Sequence, residues 1–342
     1  MKKIERDNKK HCVRLLAHCK NSKKGEMLRF HKDDLRKVAS FFAEDSDVGP
    51  PSDEEVERAI TIYNPTKPIC SDKMKCLAVR VEPRKSEHNS KVMIFEDKDN
   101  DGIWKLLDQG PVFGLQDPFI IQDVQGWHII GGVRVYPEKS TGKLGYETVF
   151  YRYKKNVFEL YDEKNNLVAP FAVGPKKMKD IRLIDLRNGK IGVFTRPQGG
   201  EFGLGKIGYV EIDSLDGLEL AIPRAKIIEG LFTEEEWGGA NELHLLSDGN
   251  IGVLGHIAHK ENEIKHYYSF SFVYNPINHT FSHEKVISTA DDFPHVDSKH
   301  DLLGRVLFSG GLERYDNGTA HLYTGIGDTA AGRILINDPF AV

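Results

Sequence analysis

The chain has 342 residues, 39% of them hydrophobic and 29% charged, which is enough apolar content to bury a core and too much for a disordered chain. Its formal net charge of −4 lacks the basic footprint that general nucleic-acid binding requires. No apolar run reaches spanning length and no apolar stretch follows the charged start, so the sequence predicts a cytoplasmic protein with neither nucleic-acid nor membrane partners.

Residues 1–58 read as a short helical N-terminal extension. Lys32 to Glu44 has helical spacing, with Leu35, Val38, Phe41 and Phe42 on one face. Gly49-Pro50-Pro51 breaks the pattern, and Ser52 with Glu55 reads as the N-cap and capping box of the next helix. The extension either packs on the main domain or stands as a solvated arm, and it offers a surface for a homo-oligomer. Cys12, Cys19, Cys70 and Cys76 lack metal-site spacing and are expected as thiols.

From Ala59 to Val342 the pattern changes to short β runs between turns, rich in Val, Ile, Phe and Tyr, with few helical stretches between them. The first runs are Ala59–Tyr63, Leu77–Val81 and Lys91–Phe95. Asp97-Lys98-Asp99-Asn100-Asp101-Gly102, with Asp108 downstream, is similar to an EF-hand loop but lacks the terminal Glu and the flanking helices. It is predicted to be an acidic hairpin turn, and no metal is expected. Gly114-Leu115-Gln116-Asp117-Pro118-Phe119 places an acid before a proline that suits the start of a strand. Pro118 is expected to hold Asp117 extended, with its carboxylate aimed out of the sheet end.

Four later hairpins share one form, with turn glycines at Gly126, Gly189, Gly249 and Gly318, spaced 63, 60 and 69 residues apart. With an earlier, less regular unit over Ile62 to Arg80, five units at this period predict an all-β, five-bladed β-propeller over residues 59–342. A pair of β-sandwiches is the alternative, but it leaves the long repeat unexplained. In a propeller the inner strands converge on one axis. Asn64-Pro65, Asp117-Pro118, Lys179-Asp180 and Asn241-Glu242 lead into the hairpins; Arg80, Arg134, Arg196 and His256 follow them; and the last unit ends at Gly325-Ile326-Gly327-Asp328. A funnel with acids and an Arg/His set suits a polar substrate with an anion beside it, because carboxylates bind sugar hydroxyls and Arg holds phosphate through a fork. Trp127, Tyr151 and Trp237 are candidates for stacking on a sugar or for the core. Gly199 to Gly205 is either a loop over the site or a connection between units.

These motifs, together with Arg80-Val81-Glu82-Pro83-Arg84 plus Glu87 and Ser90, Thr195-Arg196-Pro197, Gly255-His256 and Tyr323-Thr324-Gly325-Ile326-Gly327-Asp328-Thr329, carry a family resemblance. Over residues 59–336 the chain resembles the five-bladed β-propellers of glycoside hydrolase family 130, the β-mannoside phosphorylases. It is more similar still to glycosyltransferase family 108, the mannosyltransferase/phosphorylases. The resemblance implies inverting phosphorolysis or synthesis of β-mannosides, expected to be β-1,2-linked. Inorganic phosphate is the implied co-substrate, mannose 1-phosphate the implied donor in synthesis, and no other cofactor is expected. It implies Asp117 as the general acid, acting through a mannose hydroxyl. It implies Arg196, His256 and Lys179 on phosphate, and Asn64, Arg80, Asp180 and Asp328, with Glu82 and Glu242, on mannose. A second carboxylate is unnecessary because phosphate is already an anionic nucleophile. Phe119 stands where family 130 has an arginine, and Leu322-Tyr323-Thr324-Gly325 replaces a tyrosine-rich tail. Both departures favour family 108 and leave acceptor and linkage open. A β-mannoside hydrolase on the same scaffold and a non-catalytic carbohydrate-binding propeller are the other readings.

Overall fold

A computed structural model describes residues 11–42, 52–71, 74–86, 89–139 and 142–341. Gly49-Pro50-Pro51 and Glu87 lie outside the described residues. The chain is mostly β, with helices at His11–Leu16, Lys32–Phe42, Asp53–Ala59 and Leu218–Ala221. Ser52 caps the Asp53–Ala59 helix through the expected box with Glu55. In Lys32–Phe42, Val38 and Ala39 are buried and Leu35 and Phe42 pack beside them, whereas Phe41 is 46% exposed. Phe41 follows Leu35 by six positions, which carries it off the face shared by positions 35, 38 and 42.

Among the described residues the strands form four hydrogen-bonded sheets of six, four, four and eight strands. The eight-stranded sheet consists of two antiparallel groups joined by a short parallel pairing of His266 and Tyr267 with Arg305 and Val306. Among the described residues, antiparallel groups of strands begin at Ile60–Tyr63, Gln116–Val124, Arg182–Asp185, Glu236–Leu245 and Arg305–Arg314. The last four first strands pack on one another in chain order, Met74–Pro83 packs on Gln116–Val124, and Ala330–Asn337 returns to pack on Ile60–Tyr63. Gly126, Gly189, Gly249 and Gly318 all have positive φ, as tight hairpins of this form require.

Each sheet is buried on both faces, so its strands read as near-continuous apolar runs. Along Lys91–Glu96, Val92 and Ile94 face Ile120, Ile130 and Val149 of the second unit, while Met93 and Phe95 face Val38 and Val56 of the N-terminal helices. The alternation repeats in the second unit. Ile120, Ile130 and Val149 pack towards the first unit, and Phe119, Ile129 and Phe150 pack towards Leu183, Ile191 and Val193 of the third. Further cores lie between the third and fourth units and between the fourth and fifth.

The N-terminal segment is more than helical. Glu26–Met27 adds an antiparallel edge to Ala330–Asn337 of the last unit, and Arg29–Phe30 pairs in parallel with Ile103–Leu106 of the first. Two-residue strands are too short to show a period, so no pattern marks them. The acidic segment is the expected hairpin turn: Asp97 accepts the backbone N–H groups of Asp101 and Gly102 between strands Lys91–Glu96 and Ile103–Leu106. No group of metal-ligating side chains occurs among the described residues, and no described helix is long and apolar enough to cross a membrane.

Candidate active site

The first strands break at one level. Asn64 follows Ile60–Tyr63 with φ 50°, Asp117 lies in a bulge of Gln116–Val124 with φ 46°, and Asp180 precedes Arg182–Asp185 with φ 57°. The fourth strand has a register shift between Ala240 and Glu242, and the fifth one between Ser309 and Gly311. Asp328 has φ 52° in the turn after Thr319–Ile326. Left-handed backbone at non-glycine residues stores about 1–3 kcal/mol each and collects at functional sites. Asp117 is therefore not extended as Pro118 suggested. The left-handed turn and bulge override the proline's preference and point the carboxylate inward, where it is buried.

Asp117 Oδ1 accepts from Asn64 Nδ2 at 2.8 Å and from Arg80 Nη1 at 2.9 Å. Burial pushes the Asp117 carboxyl up, but Arg80 and Lys179, with the hydrogen bonds from Asn64 and Arg80, outweigh it and leave the pKa at about 2. Asp117 is thus a carboxylate at neutral pH. Asn64 reaches it because Gly325 lies beneath; a β-carbon there would overlap Asn64 Oδ1.

Glu82 is 0% exposed and stands behind Arg80 rather than in the open cavity. Its Oε2 accepts from Arg80 Nε at 3.1 Å, from Arg80 Nη2 at 2.8 Å and from Ser90 Oγ. Its Oε1 accepts from Tyr63 at 2.5 Å and from Lys299 at 2.5 Å. Burial raises its pKa, and Arg80, Lys299, Ser90 and Tyr63 pull it below the usual range. Glu82 therefore fixes the guanidinium that touches Asp117.

Two neighbouring cavities share Asp117, Gln116, Lys179, Lys265 and Tyr267 in their walls. The 620 Å³ cavity adds Arg196, Trp237 and Tyr146; the 380 Å³ cavity adds Asn64, Arg80, His256 and Asp328. Arg196 is held by Gly238 O at 2.8 Å and Leu204 O at 3.0 Å, and its Nη1 lies 3.4 Å from Asp180 Oδ2. Leu204 belongs to the glycine-rich stretch, which lines the cavity and is therefore a loop over the site. Gly205, at φ 135°, packs on Arg196, where a β-carbon would come within 2.6 Å of Nε. Burial opposes the charge on Lys179, yet Asp180 and Asp117 outweigh it and raise its pKa.

His256 is 1% exposed, and its Nδ1 lies 2.8 Å from Asn241 Oδ1. Burial lowers its pKa, Asp180 opposes this, and Arg196, Lys179 and Arg182 help to bring it to about 3. The ring is neutral at physiological pH.

Other sequence candidates lie elsewhere. Glu242 lines a separate 360 Å³ cavity, paired with Lys67 and accepting from Leu312 N at 2.6 Å. Arg134 pairs with Glu147, Trp127 carries Arg152 and Lys154 over its ring, and Tyr151 packs on Phe113. Trp237 does line the site, donating to the Tyr267 hydroxyl at 3.0 Å. Tyr267, His300 and Phe308, which line the smaller cavity, and Lys299 behind it are not among the residues the motifs single out. Positions 296–303 have no periodicity to expose them.

These shifts predict the course of acid unfolding. His256 has a folded pKa near 3 against an ordinary 6.5, so between those values the unfolded chain binds the extra proton and stability falls with pH. Asp117 and Glu242, each near 2, extend the loss from about pH 4 down to about pH 2. Urea melts should show stability decreasing from pH 6.5 downward, and His256→Gln should flatten the limb above pH 4. A wild-type limb that is flat from pH 6.5 to 4 would contradict the burial of a neutral His256.

Residues 55–342 match the model of a family described as protein of unknown function (DUF1861). No curated protein matches the chain. Among solved structures, a mannose phosphorylase from Leishmania mexicana in complex with phosphate ion is 28% identical. It superposes with a TM-score of 0.77, covering 97% of this chain and 93% of that one. A GDP-Man-dependent mannosyltransferase from Leishmania mexicana is 31% identical, with a TM-score of 0.76 over 96% of this chain and 93% of that one. The β-1,2-mannobiose phosphorylase from Listeria innocua, at 15% identity and TM-score 0.57, covers 85% of this chain and 93% of its own and is alike in fold.

Proposed function

Because the chain belongs to the family described as protein of unknown function (DUF1861) and superposes on mannose-transferring enzymes, we propose that it is a five-bladed β-propeller mannosyltransferase/phosphorylase. It interconverts β-mannosides, β-1,2-linked, with mannose 1-phosphate by inversion at the anomeric carbon. One observation carries this reading: a buried carboxylate, Asp117, lines the same 620 Å³ cavity as the cations Lys179 and Arg196.

The reaction balances as mannoside plus monohydrogen phosphate giving mannose 1-phosphate dianion plus alcohol. The bond from C1 to the glycosidic oxygen breaks and the bond from C1 to a phosphate oxygen forms. One proton moves from phosphate to the departing oxygen. Lys179 and Arg196 hold the phosphate charge, Arg80, Asn64 and Asp328 hold the mannose, and Asp180, which the sequence suggested for mannose, lines neither cavity and instead stands behind Arg196. Asp117 handles the proton at the glycosidic oxygen through a sugar hydroxyl. Its low resting pKa suits the synthetic direction, in which it begins as a base and withdraws the acceptor's proton. In phosphorolysis, bound phosphate offsets Lys179 and Arg196 and raises the Asp117 pKa towards a working acid.

The test is phosphate release from mannose 1-phosphate with mannose or a short manno-oligosaccharide as acceptor, beside a parallel arm with GDP-mannose. Acceptor-dependent release is expected in the first arm. No turnover of either donor, and none of β-1,2-mannobiose with phosphate, would defeat the reading.

A further inference from the structure

His256 differs from its cationic neighbours. Its ring is fixed between Tyr267, at 5.6 Å and 24° between planes, and Phe308, at 5.3 Å. Asn241, itself 3% exposed, sits in the bulge of the fourth first strand, and its backbone carbonyl accepts from Arg182 Nε at 2.6 Å. A 2.8 Å approach of Asn241 Oδ1 to Nδ1 requires a proton between them, and only Nδ1 can supply it. In a neutral ring that leaves Nε2 with a lone pair and no proton. The facing charges keep the ring neutral: Arg196, Lys179 and Arg182 disfavour an imidazolium, and Asp180 does not outweigh them and the burial.

Resting on the phosphorylase reading above, we infer that Asn241 is a positioning residue that makes His256 Nε2 a hydrogen-bond acceptor, so that the site selects oxyanions that still carry a proton. Monohydrogen phosphate and arsenate have an O–H to donate to Nε2. Sulfate and monofluorophosphate have similar shape and charge but no proton at neutral pH, and they set an oxygen or fluorine lone pair against that of the ring. A site built to pair with a ligand hydroxyl rejects the analogue that lacks it more strongly than fit alone would. The selected proton is also the one the reaction needs, since phosphorolysis moves one proton from phosphate to the leaving oxygen. His256 accepts the hydrogen bond of that O–H and stays neutral, so the proton remains with phosphate until it passes to the leaving oxygen.

The experiment is inhibition of phosphate release from mannose 1-phosphate by phosphate, arsenate, sulfate and monofluorophosphate at constant ionic strength. For the wild type, phosphate and arsenate should bind alike, and the two proton-free anions at least about tenfold more weakly. Equal competition by sulfate would overturn the inference while leaving the phosphorylase reading intact; absence of turnover would strike that reading instead. Asn241→Asp puts a carboxylate on Nδ1, favours the imidazolium and makes Nε2 a donor. In the folded variant the preference for phosphate over sulfate should fall towards unity, and an unchanged ratio would overturn the inference. An amide turned so that Nδ2 met Nδ1 would make Nε2 a donor in the wild type, and the sulfate arm detects that without any variant.

Discussion

Asp117→Asn should lower mannosyl transfer by about 10³-fold, the middle of the range for loss of a positioned acid–base group. The amide keeps the shape of the carboxylate, and its oxygen still accepts from Asn64 and Arg80, so the site should stay assembled. What it lacks is a proton that can be taken and returned. The fall should appear in kcat with little change in KM, because the interaction acts on the transferring proton rather than on bound substrate. Phosphate should bind the variant at least as tightly as the wild type, since one negative charge near Lys179 has been removed. Retention of activity within tenfold would remove Asp117 from the chemistry.

Glu82→Gln should be the most destabilising single change near the site, by about 3–5 kcal/mol. The wild-type carboxylate compensates Arg80 and Lys299, both buried, while accepting from Tyr63 and Ser90. Glutamine keeps the volume and loses the charge, so Lys299 loses its ion pair with Glu82 and Arg80 keeps only Asp117 of its two carboxylate partners. Chemical denaturation with activity measured in parallel checks it. The folded fraction should also lose activity as Arg80 drifts from Asp117. A loss of less than about 1 kcal/mol would show that the cluster is solvated.

The repeat could be read from sequence because each sheet is buried on both faces. Runs such as Lys91–Glu96 and Trp127–Pro137 are apolar almost throughout, and the hairpins between them are marked by glycines that need positive φ. The outer strand Thr280–Ser288 is harder to read, since its exposed positions carry polar residues that blur the pattern. At the site, Asn64, Arg80 and Asp117 were grouped although they lie up to 53 residues apart, because the repeat puts them at one level of successive units. Level on a strand does not fix which cavity a side chain faces, and Glu242 faces another. The left-handed turn at Asp117 was also hidden, for it follows from a bulge set by the partner strand rather than from local sequence.

Glu26–Met27 and Arg29–Phe30 together have a consequence for assembly. The same short stretch hydrogen-bonds to residues 330–337 and to residues 103–106, so it fastens the two ends of the chain's β architecture to each other. Its pairing with residues 330–337 brings together Glu26 and Arg333, 307 positions apart. Forming that pairing is entropically expensive, because it depends on contacts of very long sequence separation. Shortening the chain to the family-matching portion would remove this latch while sparing every side chain that lines the central cavity.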